Sequence, residues 1–270
     1  MTKKGSAISA LFIILFAHAA SSTRAQSSEK IIASARYRFS QLEDTALPGS
    51  LRTQYMQLDI GRESSRYRKA SDRQADSNHW RFAAETVEVD NGDNGTSYFL
   101  YSSSHKAYQS EKMFMYNYIF EIQYPGIDWT IASDTTTIGG YICQMARGRW
   151  KGRLYTAWFC PDLPFPYGPW KLRGLPGLIL QAADSSGQIV FEFAGFFKNP
   201  NPDASLQLPS DHPVRVTQRE FNRLHQLFTD NPKAYLQSVF GPAAMGSVKI
   251  DPSFHGDRKI NNPIERDVEK

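Results

Sequence analysis

The sequence predicts a mainly β protein, an α+β fold rich in strands, from three observations. Several short stretches alternate between apolar and polar residues, which is the pattern of strands with one buried face. Clusters of Gly, Pro, Asn and Asp separate these stretches and are typical of turns. Helical periodicity appears only late in the chain. We therefore expect a curved antiparallel sheet, or a partly open barrel or sandwich, with one or two late helices at about 217–240.

The N-terminus has the features of a secretory signal peptide. Lys3 and Lys4 precede an apolar run over residues 7–20, and small residues follow at 23–25. The run is shorter than the roughly 20 residues that a membrane span needs. We expect cleavage after Ala25, which is the usual outcome of this pattern, with a membrane anchor as the alternative.

Cleavage changes what the charge implies. The whole sequence carries a net charge of +4, but residues 1–25 hold three bases and no acid, so residues 26–270 carry +1. This charge gives no reason to expect nucleic acid as a partner. No second apolar run could cross a bilayer, so we expect no integral membrane segment. The prediction is one exported domain over 26–270, periplasmic or secreted, with a polar tail over 251–270.

The first half of the chain contains five predicted strands. Residues 31–40, 54–60, 80–89 and 96–102 show strand patterns, whereas the polar residues 63–78 indicate a surface loop. The clearest strand is 113–124, where one face is almost entirely aromatic: Phe114, Tyr116, Tyr118, Phe120, Ile122 and Tyr124. Such a face is typical of a core wall, and a stacking platform for a sugar or peptide is the alternative.

Both cysteines belong to a predicted hairpin. Lys151-Gly152 fits a two-residue hairpin loop, which pairs Trp150 with Arg153. Counting outward from that pair sets Cys143 opposite Cys160, at a site where Cα atoms lie about 4.5 Å apart. In an exported chain we expect these cysteines to form a disulfide. Two unpaired buried thiols are the alternative.

A proline-rich segment follows the hairpin. Its prolines exclude a helix or a central strand over residues 161–169, so we expect an ordered crossing loop. The loop aromatics Phe165, Tyr167 and Trp170, together with Trp158 of the hairpin, could form a docking edge or line the mouth of a cavity. Pro176-Gly177 then fits the centre of a type II turn that leads into a strand from Leu178.

Helix signals come last. Thr217 and Glu220 form a capping box, with an apolar stripe behind them. Asn231-Pro232 fits the start of a second, short helix that Gly241 ends.

The central motif resembles the GLPGLI family, exported proteins of Bacteroidota without an established activity. The motif here is Gly174, Leu175, Pro176, Gly177, Leu178 and Ile179. Further similarity lies at 139–146, 152–153, 157–159 and 168–170, with weaker similarity at 58–67 and at Asn262-Pro263-Ile264-Glu265. The resemblance implies a secreted or periplasmic, mostly β protein and supplies no catalytic residues.

The sequence favours a binding protein over an enzyme. The histidines are scattered, and no G-x-S-x-G, H-E-x-x-H or P-loop motif is present. We therefore predict no catalytic residues, metal or cofactor. The expected function is a non-catalytic envelope binding or carrier protein, with an apolar or peptide ligand or an envelope protein as partner. A structural role in envelope assembly is the alternative, and a hydrolase is a weaker one.

Overall fold

The structure is a computed structural model. It describes residues 28–70, 95–113, 116–198, 203–231, 234–235, 237–238 and 260–266. The predicted signal peptide, the strand predicted over 80–89 and most of the predicted polar tail lie outside the described residues.

The described ranges form fourteen strands, a short 3-10 helix at Pro48–Ser50 and one α-helix. The strands are β1 Glu29–Lys30, β2 Ala33–Leu42, β3 Leu51–Ile60, β4 Ser64–Lys69, β5 Ser97–Tyr101, β6 Lys106–Met113, β7 Tyr116–Ile122, β8 Trp129–Ile138, β9 Tyr141–Trp150, β10 Arg153–Cys160, β11 Leu178–Asp184, β12 Ile189–Lys198, β13 Ser205–Leu206 and β14 Pro213–Arg215. The helix α1 spans Gln218–Asp230.

Twelve strands form one large sheet in the order β14-β7-β6-β5-β4-β3-β2-β12-β11-β10-β9-β8. All neighbours are antiparallel except β14 and β7, which are parallel. The sheet does not close into a barrel, because β14 and β8 form its two edges. It consists of two meanders, β2 to β7 and β8 to β12, joined where β2 pairs with β12. The β-rich fold with a late helix is therefore confirmed.

The predicted hairpin is confirmed. Trp150 pairs with Arg153. Lys151 and Gly152 have φ values of 45° and 74°, as the mirror-image turn of a two-residue hairpin requires.

The predicted capping box is also confirmed. The Thr217 hydroxyl accepts from the Glu220 N–H, and the Glu220 carboxylate accepts from the Thr217 N–H. Residues 234–235 and 237–238 have helical backbone beyond α1. The rest of the second predicted helix lies outside the described residues.

Two predictions about strand positions need correction. The stretch 63–78 was predicted as a surface loop, but Ser64–Lys69 is strand β4 inside the sheet. The strand predicted over 113–124 is two elements, because Met113 ends β6 and a new strand begins at Tyr116. Small and charged side chains hid β4, whereas the unbroken aromatic pattern hid the end of β6 at Met113.

The two faces of the sheet differ in cover. The inner face carries Tyr37, Leu58 and Tyr67, which belong to a buried cluster together with Tyr167 and Leu175 from the loop over residues 161–177, the covering loop. A second cluster, nearer the β14 edge, packs Phe221 of α1 against strands β5 to β7. Tyr98 contacts both clusters and marks their junction. The described part of the chain contains no helix long and apolar enough to span a membrane.

Candidate binding surface

The opposite side of the sheet, the outer face, carries a cluster of charged side chains. Asp59 on β3 lies between Ser34 on β2 and Arg66 on β4 in the strand pairing. In the next row, Gln57 lies between Arg36 and Arg68. Alternation along each strand fixes these side chains on the face opposite Tyr37 and Leu58.

Asp59 organises this cluster. One of its oxygens, Oδ2, accepts from Arg66 Nη2 at 2.7 Å and from Arg68 Nε at 3.1 Å. Its other oxygen accepts from the Ser34 hydroxyl at 3.0 Å and from the Gln57 amide at 2.6 Å. The Asp59 side chain is only 1% exposed, whereas the Arg66 and Arg68 side chains are 21% and 26% exposed. The carboxylate therefore fixes two guanidinium groups that still reach solvent.

The ionisation of Asp59 follows from these contacts. Burial alone raises the pKa of the carboxyl, because charge is disfavoured away from water. The guanidinium groups of Arg68 and Arg66 and the Gln57 amide outweigh burial and hold this pKa below its ordinary value. Asp59 is therefore a carboxylate at neutral pH, and it balances only one of its two arginines.

Exposed aromatic rings lie beside this cluster. Tyr55 is 56% exposed and Phe197 is 42% exposed. Arg36 lies over the Phe197 ring, with its guanidinium carbon 5.2 Å from the ring centroid. Arg38, which pairs across from Tyr55, forms a 2.6 Å ion pair with Glu192. We call this set the arginine patch: Arg36, Arg38, Arg66 and Arg68 with Asp59, Glu192, Tyr55 and Phe197.

The inner side of the sheet holds a second acid–arginine cluster. Arg153 donates to Asp184 Oδ2 at 2.7 Å. It also donates to Asn262 Oδ1 and to the Pro263 carbonyl, both at 2.6 Å, and to the Ile264 carbonyl at 3.1 Å. The Arg153 and Asp184 side chains are 1% and 3% exposed. Arg153 therefore anchors the segment 260–266, the C-terminal segment, at a buried position.

The Asp184 carboxylate accepts hydrogen bonds from several donors. Burial alone raises the pKa of its carboxyl, but the Ser186 hydroxyl, the Ile189 N–H and Arg153 together hold that pKa below its ordinary value. The N–H groups of Gln188 and Ile189 donate to Asp184 Oδ1 at 2.8 and 3.0 Å. Cation and anion match one to one here, in contrast to the arginine patch.

Lys171 of the covering loop lies next to this cluster. Its ammonium group pairs with Glu265 of the C-terminal segment. It also lies over the rings of Tyr98 and Trp170, at 5.0 and 5.5 Å from their centroids. Burial lowers the pKa of Lys171, against the opposing effect of the Glu265 carboxylate. The covering loop and the C-terminal segment thus fix each other over the inner face.

The covering loop places the aromatic residues that the sequence suggested as a docking edge. Tyr167 and Trp170 are 1% and 3% exposed, so they belong to the core. Phe165 is half-buried and contacts the Phe196 ring at 6.0 Å between centroids. Trp158 is half-buried, and its pairing with Gln181 places it on the outer face. Of the four suggested residues, only Trp158 and Phe165 reach the surface.

The aromatic strand is a wall of the core. Tyr118 and Phe120 are buried, and the Phe120 ring stacks on Phe221 of α1 with 4.7 Å between centroids. Tyr116 is half-buried and contacts Tyr118. Phe114 lies outside the described residues. The core interpretation of this strand therefore accounts for its described residues.

The Gly174–Ile179 motif forms a tighter turn than predicted. The Gly177 N–H donates to the Leu175 carbonyl at 2.8 Å, while the Leu178 N–H donates to Leu163 of the covering loop at 2.9 Å. The predicted type II turn is therefore wrong, because the hydrogen bond closes three residues around Pro176 rather than four. The strand does begin at Leu178 as predicted.

Position 177 requires glycine because the Cys160 backbone lies very close to it. A Cβ atom at this position would lie 2.2 Å from the Cys160 carbonyl oxygen. Gly174 has a positive φ of 93°, but a Cβ there would meet open space. The two glycines of the motif therefore serve different purposes.

The predicted disulfide is absent, since Cys143 and Cys160 are free and buried. The β9–β10 pairing ends at Gln144 and Phe159, one position before the cysteines. Cys160 instead pairs with Leu178 on β11, and the Cys143 thiol donates to the Tyr141 carbonyl. Burial, followed by the neighbouring Cys160, raises the pKa of the Cys143 thiol to about 11.

Metal-ligating side chains do not cluster in the described residues. No group of three His, Cys, Asp or Glu side chains there could hold a metal ion. The described part of the chain does contain three histidines, His105, His212 and His225, on separate elements. Sequence reasoning missed Asp59, Arg66 and Arg68, although the alternation of Ser64, Arg66 and Arg68 with Ser65 and Tyr67 was a usable strand signal.

Comparisons with known proteins add little to this geometry. No protein-family description matches the sequence, and no curated protein matches it. Two solved structures of PNGF-II, in space groups P21 and C2, resemble the chain with TM-scores of 0.48 at 12% and 11% identity. The match covers 72% of this chain but 32% of the PNGF-II chain, so this chain spans about a third of that length. A likeness this weak supports no functional argument.

Proposed function

We propose that this chain is an exported GLPGLI-type protein that acts as a non-catalytic binding protein of the cell envelope, with the outer face as its binding surface. The motif Gly174–Ile179 supports the family assignment, and the signal-like N-terminus supports export. The partner class is an envelope component.

One observation carries this proposal. The chain's own covering loop and α1 bury the aromatic side chains of the inner face, whereas the outer face keeps exposed aromatic rings among arginines. Aromatic and arginine side chains are enriched in binding sites, where aromatic rings give large contact areas and guanidinium groups give several hydrogen-bond donors. A carrier for an apolar ligand would instead need an open apolar cavity on the inner face.

A structural role in an envelope assembly is the second candidate. Over β12, β2 and β3 the outer face has exposed side chains, and such a strand surface suits contact with a second large molecule. The two candidates differ in permanence: a binding protein exchanges its partner, whereas an assembly component stays with it.

The test measures retention of envelope components. Immobilised residues 26–270 are exposed to separated protein, lipid and polysaccharide fractions of the cell envelope. We expect one fraction to be retained by the wild type and at least tenfold less by the Tyr55→Ala/Phe197→Ala variant. The matched control is Ile131→Ala/Ile142→Ala, which removes two exposed apolar side chains at the β8–β9 edge of the sheet.

Two results would overturn the proposal: equal retention by both variants, or retention of no fraction by the wild type. Retention that persists through extensive washing and without exchange against free partner would favour the assembly role.

A further inference from the structure

A cluster of polar and aromatic side chains lies beside the covering loop, where strands β5, β6 and β7 end. Ser102 follows β5, His105 precedes β6 and Tyr124 follows β7. The His105 and Tyr124 rings lie 5.2 Å apart between centroids. Tyr167 and Arg173 of the covering loop contact this row of residues. We call these five residues the Arg173 cluster.

Arg173 has more hydrogen-bond donors than its surroundings accept. Its guanidinium carbon lies 4.6 Å from the centroid of the Tyr124 ring, so the flat face of the group is covered and its edge is left for hydrogen bonds. An arginine side chain has five N–H donors. Among the residues that the structure describes, the one acceptor for them is the Ser102 hydroxyl, 3.2 Å from Nη2. The buried Nε has no acceptor there.

The two hydroxyl groups of the cluster also keep a proton that is not used. The Ser102 and Tyr167 hydroxyl oxygens lie 3.2 Å apart, and one hydrogen bond joins them whichever of the two donates. Each hydroxyl has one proton, so one of the two protons has no acceptor in the described part of the chain. Burial raises the pKa of the Tyr167 hydroxyl, against opposing effects of Ser102 and Arg173. Tyr167 is therefore a neutral hydroxyl at neutral pH.

We infer that the Arg173 cluster binds a ligand through a carboxylate group. This site is separate from the outer face and goes beyond the proposed function. The two oxygens of a carboxylate accept several hydrogen bonds, which matches the unused N–H groups of Arg173 and the unused hydroxyl proton. They also fit paired N–H groups along the edge of a guanidinium group. A single cation favours a monoanion, whereas a phosphate monoester carries about 1.5 to 2 negative charges at pH 7.

The cluster is accessible from one side. His105 is exposed, and Ser102, Tyr124 and Arg173 are half-buried. Only Tyr167 belongs fully to the core, at 1% exposed. A ligand can therefore approach from the side of His105 without disturbing the packing of the core.

One acid, Glu29, also acts on the cluster without neutralising Arg173. Besides burial, Glu29 raises the pKa of Tyr167, but this effect is smaller than the lowering effect of Arg173. The Glu29 carboxylate accepts from the N–H groups of Arg62 and Glu63, and it forms no ion pair with Arg173. The positive charge of Arg173 therefore remains available to a ligand.

The backbone holds Arg173 in place before a ligand arrives. The Trp129 indole N–H donates to the Arg173 carbonyl at 2.7 Å. The N–H of the next residue, Gly174, donates to the Pro166 carbonyl at 3.1 Å. Together with the contact to the Tyr124 ring, these bonds reduce the conformational freedom that binding would cost.

The test is a titration of residues 26–270 with four small molecules, followed by saturation-transfer NMR, which detects weak binding. Benzoate and glucuronate carry a carboxylate on an aromatic ring and on a sugar ring, respectively. Benzamide has the shape of benzoate without its charge, and inorganic phosphate is a different oxoanion. We expect benzoate, glucuronate or both to bind, and benzamide to bind about tenfold more weakly than benzoate because charge-assisted hydrogen bonds are lost.

Two variants of Arg173 examine the guanidinium group. Arg173→Met keeps a long side chain against Tyr124, and we expect the dissociation constant of the bound carboxylate to rise about tenfold. Arg173→Lys keeps the charge without the paired donors, and we expect it to recover only part of this loss.

The matched control is Arg147→Met, which removes an exposed arginine from β9. Thr130, next to Trp129, pairs with Arg147, so alternation places the Arg147 side chain on the face opposite Trp129. We expect this variant to bind as the wild type does. If Arg173→Met unfolds, Tyr167→Phe replaces it, because it removes one hydroxyl group and keeps the ring; a weaker loss of about threefold is expected.

Four results would overturn the inference: no binding of benzoate or glucuronate at tens of millimolar, benzamide binding as tightly as benzoate, phosphate binding more tightly than both carboxylates, or equal losses in Arg173→Met and Arg147→Met. Unchanged binding by Tyr167→Phe would overturn it where that variant is used. None of these results bears on the outer face, whose test rests on Tyr55 and Phe197.

Discussion

The two acid–arginine clusters of this protein use the same chemistry for different ends. Asp184 and Arg153 are matched one to one, almost fully buried, and joined to carbonyls of the C-terminal segment. Asp59 instead binds two arginines that remain about a quarter exposed. A matched and buried pair has no capacity left for a ligand. An ion pair alone therefore does not indicate a binding site. Solvent exposure and an excess of one charge distinguish a candidate binding site from a buried structural ion pair.

The largest expected effect is at the buried cluster. Arg153→Met leaves Asp184 buried without its cation, so we expect a loss of about 3–5 kcal/mol in the free energy of unfolding. Urea denaturation followed by circular dichroism measures it. Arg68→Met at the open cluster is the matched comparison, and a loss below about 1.5 kcal/mol is expected because Arg66 still pairs with Asp59. Equal losses at the two positions would remove the distinction between the clusters.

The second prediction concerns the loop that closes the inner face. Gly177→Ala places a methyl group against the Cys160 carbonyl oxygen, and we expect it to cost about 3 kcal/mol through overpacking. Gly174→Ala has free space and suffers only from its positive φ, so about 1 kcal/mol is expected. Thermal unfolding of the two variants compares them. A reversed order would show that backbone conformation, rather than contact with Cys160, governs this turn.

The third prediction concerns acid stability. Both Asp59 and Asp184 have a lowered pKa in the folded state. Their contribution to stability is therefore complete above the unfolded value of about 3.9 and is lost as pH falls through the lower folded values. Melting temperatures from pH 7 to pH 3 should fall steeply below about pH 4. Asp184→Asn and Asp59→Asn should each flatten this fall, and an unchanged profile in both variants would contradict the assignment.

The smallest effect concerns the two thiols. Burial and a raised pKa keep the Cys143 thiol protonated at pH 8, so alkylation should be slow in the folded protein. Denaturation before alkylation should give two modified cysteines per chain by mass spectrometry. A mass two units lower that resists alkylation would restore the disulfide.

Most of the correct sequence predictions concern local structure formed by a few neighbouring residues. The Lys151-Gly152 turn and the Thr217–Glu220 capping box are contained in a few neighbouring residues, and both are confirmed. The arginine patch draws on β12, β2, β3 and β4, so it depends on register and strand order that no single stretch specifies. The cysteines show where this kind of prediction ends. The strand register counted outward from the Lys151-Gly152 turn is correct as far as the pair Gln144 and Phe159, where the β9–β10 pairing ends.

The C-terminal segment has a consequence for the order of folding. Asn262 bonds to Gln41 and Leu42, more than 200 positions earlier in the chain, and also to Arg153. During synthesis these groups emerge from the ribosome long before Asn262 does. Because loop closure over such a distance is entropically costly, the inner cluster is among the last contacts to form. A chain still being synthesised therefore has Arg153 without its bonds to Asn262, Pro263 and Ile264, and the finished inner cluster depends on these late residues.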